Sequence, residues 1–218
     1  MNTYWSEVRG LPPAASLQVL GRFALGRNCH IAAGGIVLRA AGDRETPVFD
    51  RFGQPVTVSR ILPRDRAIAA LGIEMLEVAQ GDVGAASPAG DRVALLTDVG
   101  ALVFRGALLT RMLGLAFAHL ETRESGGQRT LQLPLVKATF TACASLADRN
   151  LREAARHLEG MPGLDLAAAH QVLTEATSDA AKLMGGHGFL LGSLNSIETL
   201  SLLIGGLFAP AAERLVAA

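Results

Sequence analysis

Apolar positions recur at helical spacing through the second half of the chain. Leu102, Leu109, Met112, Leu113, Phe117 and Leu120 share the 3.6-residue period and predict a long helix over residues 99–124, which Ser125-Gly126-Gly127 stops. Pro134 opens a second run, since proline in the first turn forfeits no helical hydrogen bond. Leu135, Thr139, Ala142, Leu146, Leu151, Ala155 and Leu158 continue it to the break at Gly160-Met-Pro-Gly163. A third run covers residues 166–184, with Asp165 as its N-cap and Gly185-Gly186 as its end. A fourth, residues 196–204, is expected to break at Gly205-Gly206 and to resume weakly over 211–216.

The first half is patterned differently. Residues 35–39, 55–59 and 73–78 are short runs of β-branched and alternating apolar residues. Turn-forming segments at 41–44, 51–55 and 63–65 separate them. Residues 81–91, rich in Gly, Ala, Ser and Pro, read as a linker. The expected fold is therefore α+β. A small antiparallel β domain over residues 1–90 precedes an antiparallel four-helix bundle over 91–218.

Composition narrows the function. Twenty basic residues balance twenty acidic ones, so no global field draws the chain to nucleic acid or anionic lipid. Half the residues are hydrophobic and mean hydropathy is +0.32, a surface poorly defended against association, so oligomerisation is expected. Cys29 and Cys143 have no partner at metal or redox spacing, and no metal site is expected. Without a basic, apolar leader or an uninterrupted apolar run of about 18 residues, the expectation is a cytoplasmic protein that does not span a membrane.

The most unusual local feature is Lys182-Leu-Met-Gly-Gly-His-Gly-Phe189, where three glycines surround a histidine at a helix end. Glycines there permit a tight C-terminal turn and also let a ligand or partner backbone approach. A phosphate loop of the usual kind is excluded, because it needs a strand before it and a helix after it. His30, His119, His157 and His170 have no carboxylate or nucleophile at motif spacing.

The long helix, Pro134-Leu-Val-Lys137 opening the next one, and Met184-Gly-Gly-His-Gly-Phe189 closing the third together resemble the C-terminal half of the acyl-CoA dehydrogenases and acyl-CoA oxidases. Ile197-Glu198-Thr-Leu200 is similar to the Val-Glu-x-Leu/Tyr that follows that turn in the family. The resemblance implies FAD, an acyl thioester substrate, and a homo- or hetero-oligomer with an acyl-CoA dehydrogenase-like chain. It also implies cofactor contacts at Lys182, Gly185, Gly186, His187 and Gly188. The β-rich half would match a shortened middle domain, with no room before it for the family's N-terminal helical domain.

The departures carry equal weight. Ser125-Gly126-Gly127-Gln128 stands where the family has Arg-Gln-Phe-Gly, and Lys182 stands where a Gln commonly precedes the double glycine. Lys182 could return the lost positive charge, without the geometry of a guanidinium. The family's general base lies in a Tyr-Glu-Gly-Thr loop and removes the α proton while hydride passes to the flavin. Here Leu207-Phe-Ala-Pro210 offers no base. Glu198 and Glu213 are the carboxylates left as weak candidates. These features imply a truncated, non-catalytic subunit beside a full-length flavoprotein. A self-sufficient enzyme with a relocated base and a flavin-free scaffold are the alternatives.

Overall fold

The computed structural model describes residues 1–79, 87–190 and 192–209. The second half of the 81–91 segment enters a helix, and its residues 81–86 lie outside the described range, as do the weak run at 211–216 and Glu213. The fold is α+β, with seven helices and a small mixed sheet among the described residues.

Two helices precede the sheet, where the sequence pattern had suggested β structure almost from the start. Helix α1 is Asn2–Gly10 and α2 is Pro13–Leu25. Pro13 at the first turn and Leu17, Leu20 and Ala24 at 3–4 residue spacing explain α2, and Gly26 in the left-handed region (φ 69°) ends it. Strands β1 (His30–Ala33), β2 (Ile36–Ala40), β3 (Val48–Asp50), β4 (Val58–Ile61) and β5 (Ile73–Val78) lie in the order β3-β1-β2-β5-β4. Gly34 and Gly35, both at positive φ, form the tight β1–β2 turn. The sheet is not wholly antiparallel as expected: β1 and β3 run parallel, His30 opposite Val48. Both strands escaped the pattern analysis because each is short, and β1 is buried along its whole length, so it shows no alternation. Helix α3, Arg66–Ala70, sits between β4 and β5 and is capped by Asp65, whose carboxylate accepts from Ile68 N at 3.0 Å.

The spine is α4, Pro88–Leu120, roughly 50 Å long at 1.5 Å per residue. Ser87 caps it, accepting from Gly90 N. From Thr97 to Leu109 every residue is buried, as expected of a helix surrounded by other elements. It is long and apolar enough to cross a membrane by length and composition, and 78% of its most apolar window is buried within the protein. Helices α5 (Pro134–Leu158), α6 (Leu166–Lys182) and α7 (Leu194–Phe208) pack against it, as do α1 and α2. Small residues set the distances on the α1–α2 side. A Cβ at Gly100 would lie 2.7 Å from Leu20, and one at Gly106 would lie 2.9 Å from Trp5. Tyr4 Oη donates to Gly100 O at 2.9 Å. One apolar cluster runs from Tyr4 to Phe208.

Arg105 is the sole charge between Asp98 and Arg111, and it is 1% exposed. Its Nε donates to Ser201 Oγ (3.2 Å), Nη1 to the His170 carbonyl (2.8 Å) and Nη2 to Thr174 Oγ1 (2.8 Å). Nη1 also faces His170 Nδ1 at 3.0 Å. Among the described residues no carboxylate pairs with it. Burial pushes the Arg105 guanidinium down to about 10. Burial and then Arg105 bring His170 down to about 4, so its ring is neutral and Nδ1 can accept.

Gly205-Gly206 does not interrupt α7, contrary to the pattern-based expectation. A Cβ at Gly205 would sit 2.6 Å from Arg105 Nη1, so glycine here makes room for the guanidinium. Gly205→Ala should therefore cost about 1–3 kcal/mol in the native background through overpacking. In an Arg105→Ala background it should cost nothing or stabilise, since alanine is the better helix former by about 1 kcal/mol. Arg105→Ala alone should cost about 3 kcal/mol or more, by leaving a cavity and unpaired polar groups. Denaturant unfolding of the four variants measures the coupling, and additive losses would contradict the proposed fit.

Candidate functional site

The glycine turn begins where α6 ends. Gly185–Phe189 is a 3₁₀ turn, packed on α6 and α7. Its glycines are not equivalent. Gly185 takes φ 52°, which favours glycine, and a Cβ there would meet nothing within 4 Å. Gly186 needs neither positive φ nor space, because a Cβ there would also meet nothing within 4 Å. Gly188 is buried, and its Cβ would lie 2.8 Å from the Ala181 carbonyl oxygen. Within this chain the close approach is therefore at Gly188, while Gly185, Gly186 and His187 face solvent.

His187 meets His119, from the last turn of α4, with ring centroids 4.8 Å apart. Burial, Arg123 and His187 together hold His119 below the ordinary histidine range. His119 Nε2 is buried without a hydrogen-bond partner. Lys182, expected as a replacement cation for a phosphate, donates to Asp179 Oδ1 at 2.8 Å. That bond raises its pKa and neutralises its charge locally. Glu198, on α7, accepts from Ser178 Oγ at 2.7 Å. The structure thus gathers Lys182, Asp179, Ser178 and Glu198 along the α6–α7 seam, beside the turn.

These groups suit contact with something outside the chain better than chemistry inside it. Gly185 and Gly186 leave backbone accessible to a flavin or a neighbouring chain, but Lys182 already has a carboxylate, and the turn does not form a closed flavin cradle by itself. Among the described residues no cluster of three or more His, Cys, Asp or Glu could hold a metal ion.

Three polar groupings were not read from sequence. Arg105 and His170 meet across 65 positions. His30 Nε2 lies 3.0 Å from Asp43 Oδ2, although the pattern gave His30 no carboxylate partner. Burial alone would raise Asp43, but hydrogen bonds from His30 and Thr46 leave it well below the usual carboxylate range. Arg51 Nη2 donates to Asp98 Oδ2 at 2.6 Å, and burial, against the pull of Arg51, lifts Asp98 to about 6. One signal was available: Arg105 is a lone charge in an apolar run, which a buried polar centre requires.

No family model and no curated protein matches the sequence. Solved structures do. An acyl-CoA dehydrogenase from Geobacillus kaustophilus is 12% identical with TM-score 0.53, covering 82% of this chain and 60% of that one. A putative acyl-CoA dehydrogenase from Mycobacterium smegmatis is 19% identical with TM-score 0.54, covering 81% and 57%. The ChsE4-ChsE5 complex from Mycobacterium tuberculosis gives 17% identity and TM-score 0.50, covering 82% and 61%. The chain has an acyl-CoA dehydrogenase-like fold and spans about three fifths of the length of these structures.

The difference between the glycines can be measured. Gly188→Ala should lower the melting temperature of the isolated chain, by the equivalent of about 1–3 kcal/mol. Gly186→Val should leave it almost unchanged. Equal losses in thermal melts would show that the turn is uniform punctuation rather than one packed glycine beside an open one.

Proposed function

We propose that this chain is a non-catalytic, acyl-CoA dehydrogenase-like subunit that assembles with a full-length flavoprotein relative, and that the relative desaturates an acyl thioester. In this reading α4–α7 act as the family's antiparallel four-helix bundle, α4 starting at Pro88 just before the expected boundary at 91, and residues 1–90 otherwise act as a reduced counterpart of its middle domain. The bundle supplies assembly surface and, through Gly185, Gly186 and His187, one wall of a site shared with the partner. FAD belongs to that shared site and would supply the hydride acceptor there.

The observation that carries the reading is that no free carboxylate is placed as a base among the described residues. Leu207-Phe-Ala-Pro210 replaces the Glu-bearing loop, and alanine and proline cannot take a proton. Glu198 is already hydrogen-bonded to Ser178 on the α6–α7 seam, which argues against a relocated base there. The outward-facing turn supports a second chain as the missing half of the site. The likeness to a structure of a named complex supports assembly as a mode open to this fold.

The isolated chain should show no acyl-CoA dehydrogenase turnover with acyl-CoA substrates of short, medium or long chain, assayed with excess FAD and an artificial electron acceptor. A kcat in the ordinary enzyme range of about 1–10³ s⁻¹ from this chain alone would overturn the proposal.

A further inference from the structure

The last third of α4 keeps Met112, Leu113, Ala116 and Leu120 buried but leaves two large apolar side chains bare. Leu115 is 41% exposed and Phe117 50% exposed, about two turns beyond the fully buried stretch that ends at Leu109. Together with Leu113 and Phe140 of α5 they line a groove of about 840 Å³ between α4 and α5. Phe117 and Phe140 meet edge-on with centroids 6.4 Å apart, and Gly114 leaves a low point, because a Cβ there would meet nothing within 4 Å. Arg9 and Arg111 stand in the lining as well. Arg111 donates to the Leu11 carbonyl, and among the described residues neither guanidinium forms an ion pair.

An apolar floor with uncompensated cations beside it selects its occupant. We infer that this groove receives a helix of a different polypeptide, one that presents apolar residues at i, i+3 or i+4 and i+7 and a carboxylate toward Arg9 and Arg111. A second copy of this chain fits less well. A two-fold contact would bring the groove against itself, and no carboxylate is found among the described residues that line it. A free acyl chain would remain largely exposed in so open a trough, whereas pockets for small ligands enclose most of the ligand surface. This inference rests on the subunit reading and names the face through which the subunit docks.

The test uses the intact complex of this chain with the full-length acyl-CoA dehydrogenase-like chain, its affinity measured by calorimetry. Leu115→Asp and Arg9→Glu change exposed side chains, and thermal melts of the free chain verify that each still folds. Each should weaken the complex about tenfold or more, as loss of an interface anchor does, and the Arg9→Glu loss should shrink at high salt. A complex indifferent to both substitutions overturns the groove as the docking face and leaves the subunit reading intact. Self-association of the isolated chain that Leu115→Asp abolishes makes the groove a self-contact and overturns the inference. If no complex with such a chain forms at all, the subunit reading fails and this inference fails with it.

Discussion

A guanidinium buried among three helices needs acceptors from the protein for its donors, because burial removes it from bulk water. Arg105 meets that demand with Ser201 of α7 and with Thr174 and the His170 carbonyl of α6. These bonds fix how α6 and α7 sit on the spine helix, and they require a glycine at 205, where any side chain would collide with the charge. Burying such a group is costly unless its hydrogen bonds are met, so its contribution is to orientation more than to net stability. The α6–α7 seam held in this way is the same seam that carries the glycine turn, Lys182 and Glu198. The geometry of the candidate site therefore depends on a residue that does not take part in it.

Elements with an unbroken local pattern were legible in the sequence. The apolar spacing of α4, α5 and α6, with Pro134 and Asp165 at their starts, located those helices, and alternation located β2 and β5. Helices α1 and α2 are short and broken by Leu11-Pro12, so their pattern is weak, although Leu17, Leu20 and Ala24 keep helical spacing. Contacts between residues distant in the chain leave no local trace: nothing near His30 announces Asp43, and nothing near Arg105 announces His170. The glycines show a related limit. Gly186, Gly188 and Gly205 are the same letter, yet one faces open space, one presses on a carbonyl and one shelters a guanidinium.

The chain has an acyl-CoA dehydrogenase-like fold, and in the proposed reading the chemistry is divided between two chains. In that reading Leu207-Phe-Ala-Pro210 stands where the family carries its base, and these residues cannot accept a proton. The glycine turn faces outward, and the apolar trough between α4 and α5 carries two arginines that form no ion pair among the described residues. In the proposed reading a second chain supplies a carboxylate base, most of the flavin contacts, and a helix with an acidic residue. Fold alone does not dictate function.

The most direct measurement is native mass spectrometry of the assembled complex, read together with its flavin absorbance. It gives the number of copies of this chain, of its larger partner, and of FAD in one particle. The account predicts a mixed particle in which FAD is lost when the partner is removed, leaving this chain colourless. A particle built from this chain alone, retaining one FAD per copy, would contradict it.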